Sequence, residues 1–301
     1  MAIAVLFPGQ GTQTARMGDP WRGTPAWDVV ERAENALGQA LAPLLLEATD
    51  DELSRTREAQ LAVLLASLLA WEALRDQIDG PVAFAGHSLG QITALIASGA
   101  LRLEDGVRLA AQRAECTQAA ADENPGRMAA LIGADVEAAD AACEGLDAWL
   151  ANDNAPGQVV IGGTPEGLEA ATERAAGLGI GRVVKLNVGA AFHTPLMAPA
   201  ASALAGHLAA TPFRTPSAPV VSNADAKPYG SADGWAERLA EHLISPVRWR
   251  YSMESIAAMG VDTFYEVGPG NVLAGLAKRT VGSSVTLRSV TVPTDALLEV
   301  A

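Results

Sequence analysis

Short unbroken apolar runs punctuate this chain, separated by longer stretches whose apolar residues recur at helical spacing. Runs of that kind suit strands buried on both faces and covered by helices. The first run, Ile3–Phe7, leads into a Gly/Gln loop, Pro8-Gly9-Gln10-Gly11-Thr12-Gln13. The pattern then predicts helices near 26–38 and 60–76, a strand at 82–85, and helices at 91–97 and 103–122. The most apolar stretch, Leu61–Ala70, is too short to span a membrane and is interrupted by Ser67; it reads as a buried helix.

The texture changes at Pro125-Gly126. Strand at 128–132, helix at 136–144, strands at 149–152 and 158–162, helix at 164–177 and strand at 182–187 follow within about 65 residues. That β-α-β-β-α-β order is a ferredoxin-like unit. Beyond Gly189 the pattern returns to helix at 198–210, strand at 219–222, helices at 234–243 and 253–259, strand at 263–267 and helix at 272–279. The last 20 residues are weakly patterned and are expected to be loosely packed. The fold class is therefore α/β: a large hydrolase-like domain with a parallel sheet (1–125 and 190–301), carrying an inserted ferredoxin-like subdomain (126–189).

Composition narrows the function. With 301 residues, 49% hydrophobic and 19% charged, the chain can bury an ample core. Its formal net charge of −14 argues against non-specific binding of nucleic acid or anionic membrane. The two cysteines, Cys116 and Cys143, have no metal-ligand spacing and imply a reducing compartment. The apolar N-terminus lacks a basic flank and reads as a buried strand rather than a signal peptide, so a cytoplasmic protein is expected.

Gly86-His87-Ser88-Leu89-Gly90 stands where an apolar strand meets a helical run. A serine in that setting sits at the tip of a sharp turn, with backbone N–H groups of the new helix beside it. Glycines two before and two after it let the turn close. A nucleophilic serine needs a base, and the chain has four histidines. His87 braces the elbow, His207 belongs to a helix surface or edge, and His242 stands at a helix end where it can cap carbonyls. His193 follows a strand in a loop entering a helix, where sheet-borne sites place side chains. General base and structural loop histidine both remain open for it on context alone.

Six features stand in order: Phe7-Pro8-Gly9-Gln10-Gly11-Thr12-Gln13, Gly86–Gly90, Arg113, Asn154-Ala155-Pro156-Gly157-Gln158-Val159-Val160, Ala191-Phe192-His193-Thr194-Pro195-Leu196-Met197 and Glu266-Val267-Gly268-Pro269-Gly270. Together they resemble the malonyl-CoA:acyl-carrier-protein transacylases and the acyltransferase domains of polyketide synthases, from residue 3 to about residue 280. The resemblance implies that Ser88 forms an acyl-enzyme ester, with His193 as its general base. It implies an oxyanion hole from the backbone N–H groups of Gln10 and Leu89. It places Gln60 in the same pocket, and pairs Arg113 with the free carboxylate of the acyl group, a task suited to a planar guanidinium. Phe192 resembles the malonyl-selective members, leaving little room for a 2-substituent. His242 stands where bacterial members commonly carry glutamine. It is placed with the substrate-binding residues, and the backbone carbonyl of its segment is expected to orient His193. Gln91 replaces a usually acidic residue, a change expected to alter the pocket or the carrier contact, and Thr194 replaces a usual serine.

The implied partners are malonyl-CoA and an acidic acyl carrier protein, with no metal or redox cofactor. Because both proteins are acidic, a local basic rim is needed; Arg182, Lys185, Lys278 and Arg279 are candidates. Monomer is the default state. The alternatives are an atypical 2-substituted malonyl extender, an editing hydrolase that clears acyl groups from carriers, and a catalytically silent carrier-binding module. Service in fatty-acid or in polyketide synthesis is left open.

Overall fold

The computed structural model describes residues 1–296. Its ten strands are β1 (Ile3–Phe7), β2 (Ala83–Gly86), β3 (Arg127–Ile132), β4 (Ala148–Ala155), β5 (Gln158–Gly163), β6 (Arg182–Lys185), β7 (Val220–Val221), β8 (Pro228–Tyr229), β9 (Thr263–Val267) and β10 (Thr286–Val290). The helices are α1 (Asp28–Leu37), α2 (Ala42–Leu46), α3 (Thr56–Leu74), α4 (Gly90–Ala97), α5 (Leu103–Glu123), α6 (Val136–Cys143), α7 (Pro165–Gly177), α8 (Ala198–Ala210), α9 (Trp235–Ile244), α10 (Trp249–Ala258) and α11 (Val272–Val281).

Two sheets organise them, as the sequence pattern predicts. The larger has the order β10-β9-β1-β2-β7-β8. Its first five strands run parallel, and only the two-residue β8 pairs antiparallel, with β7. The buried runs at β1, β2 and β9 sit at its centre, covered on both faces. One face packs against α3 and its neighbours, where Leu61, Leu64, Leu65 and Leu69 join Val5, Phe7 and Phe84. α3 is buried nearly all round, which explains its unbroken apolar sequence. Among the described residues no helix is long and apolar enough to cross a membrane. The opposite face buries Ala4, Leu6 and Ala85 against Trp249, Met253, Ile256 and Leu276 of α10 and α11.

The smaller sheet is antiparallel, order β4-β5-β3-β6. That is the ferredoxin-like strand order, with α6 and α7 packed on one face. Its other face carries Met128, Ala130 and Val160, with Leu186 and Val188 packed against them, and looks into the cleft beside the large sheet. β4 fastens the two units together. Asp153 N–H donates to Val247 O, Val247 N–H to Ala151 O, and Arg250 pairs with Asp153 at 3.0 Å.

Three features depart from the sequence reading. Within the weakly patterned tail, 286–290 forms β10, in parallel register with β9 from Thr286↔Thr263 to Val290↔Val267; residues 297–301 lie outside the described residues. This edge strand buries only Val290 fully, so its apolar signal is faint. α10 begins at Trp249, four residues before the predicted start, because Trp249 is driven into the core. The short α2 and β8 were not predicted.

Candidate active site

Residues 86–90 connect β2 to α4 through a turn that only small residues permit. A Cβ on Gly86 would lie 1.8 Å from Gly90 O, and one on Gly90 would lie 2.2 Å from Phe7 O. Ser88 itself has φ +53°, in the left-handed region that costs a non-glycine residue on the order of 1–3 kcal/mol. Gly86→Ala is therefore expected to destabilise the fold by about 3 kcal/mol or more through backbone collision. Equilibrium denaturation would measure this, and a loss under 1 kcal/mol would contradict the packing described.

The Ser88 hydroxyl meets two side chains from distant parts of the chain. His193 Nε2 lies 2.8 Å from Oγ, and Arg113 donates to Oγ at 3.1 Å. His193 is likewise held at positive φ, +62°. Its Nδ1 is 2.8 Å from the carbonyl of His242 and must donate to it. That bond fixes the tautomer and leaves Nε2 as the acceptor facing Ser88. Burial, followed by the nearby Arg113 charge, pushes the His193 pKa down to about 3. The ring is thus neutral, and able to take a proton, throughout the physiological range.

The His242 side chain does not line the cavity, which corrects its placement among substrate-binding residues. Its ring stacks on His193 with centroids 4.7 Å apart, only 1% exposed, while its backbone carbonyl does the orienting. α9 ends here, so this carbonyl is available to a partner outside the helix. The remaining histidines fall as expected. His87 bonds Asn154 Oδ1 at 2.9 Å and packs edge-on to Trp249, bracing the elbow, and His207 is exposed.

Arg113 comes from the inner face of α5 and is only 5% exposed. It donates to Gln60 Oε1 at 2.5 Å, and Gln60 in turn donates to Thr117 at 3.3 Å. No ion pair among the described residues includes it. Burial alone draws its pKa down to about 10, so it stays charged at neutral pH. A buried cation without an anion is costly, which makes Arg113 a ready receptor for a carboxylate. Arg108, by contrast, lies on the exposed side of α5 and bonds Ala36 O and Asp105.

These groups line a cavity of about 110 Å³ with Gln10, Gln60, Leu89, Met128, Asn152 and Phe192. It shares His87, Gln10 and Asn152 with a larger cleft of about 670 Å³ between the two sheets. Gln10 belongs to the loop after β1, which is pressed on the elbow: a Cβ on Gly9 would lie 2.5 Å from His87 O. The N–H groups of Gln10 and Leu89 find no acceptor among the described residues. Gln91 is buried behind the elbow and lines neither cavity, so its replacement of an acidic residue does not alter the pocket wall. Thr194 closes its own turn through Ala191 O at 2.6 Å. Asn152, Met128, Leu186 and Val188 were given no role from sequence; their signal was their place on or just beyond strands of the inserted sheet. No cluster of three or more His, Cys, Asp or Glu among the described residues is arranged to hold a metal.

Three buried histidines with lowered pKa make stability depend on pH. His87, His193 and His242 are each depressed chiefly by burial. The unfolded chain therefore binds more protons than the native one below the ordinary histidine pKa of about 6.5. Their contribution is complete above that pH and is lost as pH falls towards the folded-state values, by about 1.4 kcal/mol per pH unit for each histidine fully engaged. Denaturant unfolding is expected to show lower stability at pH 5.5 than at pH 7.5, and His193→Ala to shrink the difference. A flat profile would contradict the burial of neutral imidazoles.

A strained serine on an elbow, a carbonyl-oriented histidine and two free N–H groups define an enzyme of the serine acyl-transfer class. The chain belongs to the acyl transferase domain family, whose model matches residues 5–295. It is 40% identical over 286 residues to the malonyl CoA-acyl carrier protein transacylase of Escherichia coli (strain K12), covering 93% of each chain. It is 40% identical over 284 residues to that of Bacillus subtilis (strain 168), covering 92% of this chain and 90% of that one. Among solved structures it superposes on a malonyl-transacylase in complex with a type II polyketide synthase acyl-carrier protein, with TM-score 0.93, 34% identity and coverage of 99% and 98%. The acyl-carrier-protein-S-malonyltransferase of Bartonella henselae gives TM-score 0.93 at 34% identity, covering 98% of this chain and 97% of that one.

Proposed function

We propose that this enzyme moves a malonyl group from malonyl-CoA to the phosphopantetheine thiol of an acyl carrier protein through an ester on Ser88. The observation that carries the reading is Arg113: a buried, unpaired cation whose guanidinium reaches the nucleophile's own oxygen. An acyl group with a free carboxylate two carbons from its thioester carbonyl gives that cation its anion while the carbonyl meets Ser88.

In the first half-reaction Ser88 Oγ attacks the thioester carbonyl as its proton passes to His193 Nε2. The N–H groups of Gln10 and Leu89 receive the oxyanion. Collapse breaks the carbon–sulfur bond, and the His193 imidazolium returns its proton to the leaving thiolate. In the second half His193 takes the proton of the carrier thiol, the thiolate attacks the Ser88 ester, and the Ser88 hydroxyl is re-formed. Phe192 on the cavity wall disfavours a 2-methyl branch, a discrimination worth about 1–3 kcal/mol. The reaction as written needs no metal or redox cofactor. The cleft between the sheets receives the pantetheine arm, and exposed Arg182, Lys185, Lys278 and Arg279 are the basic groups available to an acidic carrier. We place the enzyme, as a monomer, in the cytoplasm, in keeping with its free cysteines.

Intact-protein mass spectrometry after brief exposure to malonyl-, methylmalonyl- and acetyl-CoA tests the reading. A malonyl-sized adduct that an added holo carrier protein discharges is the expected result. No adduct with malonyl-CoA, or release of free malonate without transfer, would overturn it; the latter would indicate the hydrolase.

A further inference from the structure

Asn223 lies just past the end of β7, fully buried beside the elbow. All four of its hydrogen-bonding groups are engaged, three of them with the elbow and its helix. Its Oδ1 accepts from Ser88 N–H at 2.8 Å, its Nδ2 donates to Gly86 O at 2.8 Å, and its backbone N–H donates to Gln91 Oε1 at 3.3 Å. The fourth group, its carbonyl, accepts from Arg248 N–H at 2.9 Å, in the segment that follows His242. One side-chain amide thus bridges Gly86 O and Ser88 N–H around His87, the backbone N–H of the same residue reaches the helix beyond the nucleophile, and its carbonyl grips the link between α9 and α10 that follows the carbonyl orienting His193.

We propose that Asn223 is a positioning residue for acyl transfer: its amide holds Ser88 in the left-handed conformation that aims Oγ at His193 and Arg113. Two consequences follow from the geometry. The Ser88 N–H is consumed by this bond, so it does not serve the oxyanion, and Leu89 and Gln10 are left to do so. Gln91, a neutral amide in the same chain, donates to Val221 O at 3.4 Å while accepting from Asn223, a pattern that an ionised carboxylate could not satisfy. The role of Asn223 rests on Ser88 being the nucleophile, as proposed above.

The test separates this role from plain structural support. Ser88 is challenged with phenylmethanesulfonyl fluoride, which needs the nucleophile and its base but no acyl pocket, and in parallel with malonyl-CoA. Both are followed by intact mass. Asn223→Ala is expected to slow both by about 10²-fold, as an ångström-scale misplacement does. Malonyl-CoA affinity, measured in a Ser88→Ala background, should stay within about threefold. Reaction at near wild-type rate in folded Asn223→Ala would overturn the proposal.

Asn223→Asp gives an independent readout. A carboxylate there accepts from Ser88 N–H but opposes Gly86 O. Once protonated, it reproduces both bonds of the amide. Its sulfonylation rate should therefore rise as pH falls. The groups facing this position do not mask that gain. Between pH 7.5 and 5.5 His193 stays neutral and Arg113 charged, burial pushes the pKa of His87 and of His242 down, Asp225 accepts from the Tyr229 hydroxyl, and the Arg248 side chain is exposed. A rate that is flat or falling with acidity in Asn223→Asp would overturn the proposal. Wild-type protein that is sulfonylated but never malonylated would sink the malonyl reading alone.

Discussion

Ser88→Ala is expected to abolish acyl-enzyme formation and transfer to a carrier, a loss on the order of 10⁵-fold or more, while the fold is kept. Ser88 Oγ is the point at which His193 Nε2 and the Arg113 guanidinium converge. Removing it deletes the atom proposed to carry the acyl group, and no other hydroxyl lines the cavity wall. The substitution also removes an oxygen from a strained residue without changing its backbone bond to Asn223, so melting temperature should shift little. Retained turnover in the purified variant, with no wild-type contamination by mass, would contradict the assignment.

Replacing Arg113 is expected to change which acyl group is accepted. In Arg113→Ala the malonyl carboxylate would enter a buried site without a counter-charge. Losing one partner of such a pair costs about 2–5 kcal/mol, or roughly 30-fold to several thousand-fold in kcat/KM. Acetyl-CoA, which lacks the carboxylate, should be unaffected or improved, so the malonyl-to-acetyl ratio inverts. Arg113→Lys keeps the charge but not the two-pronged donor geometry that bonds Gln60 and Ser88 together, and should recover only part of the rate. Equal losses towards both esters would mean that Arg113 supports structure rather than selecting the acyl group.

Much of this was legible along the chain. The elbow announced itself because its constraints are local: two glycines, one serine and the passage from strand to helix lie within five residues. The buried strands and the ferredoxin-like insertion were readable for the same reason, since periodicity reports burial one element at a time. Arg113 was different. On its own it is a lone cation on an alanine-rich helix, and only its resemblance to a family marked it. His242 misled only through its side chain, which was placed with the substrate-binding residues and lines neither cavity; the backbone carbonyl of its segment was expected to orient His193, and it does. β10 was missed because Thr286-Leu287-Arg288-Ser289-Val290 carries almost no pattern of its own and is a strand only because β9 offers it a free edge. Asn223 was invisible as a site residue, although a polar residue just beyond the end of a buried parallel strand is where such sites are built.

The division between the two kinds of knowledge has a physical basis. Steric limits on φ and ψ, helical spacing and strand hydrophobicity act over a few residues, so the amino-acid order alone determined most of the elements, the two-part architecture and the sharp turn at the serine, but not β10, α2 or β8. Desolvation, hydrogen-bond direction and ion pairing depend on atoms brought together from far apart in the chain. His193 lies 105 positions from Ser88, Asn223 135 and Gln60 53 from Arg113. Only the packing of α3, α5, β7 and the 190–195 loop around one turn decided that a surface-type arginine would be buried, that a histidine would stay neutral, and which of its two nitrogens would face the nucleophile.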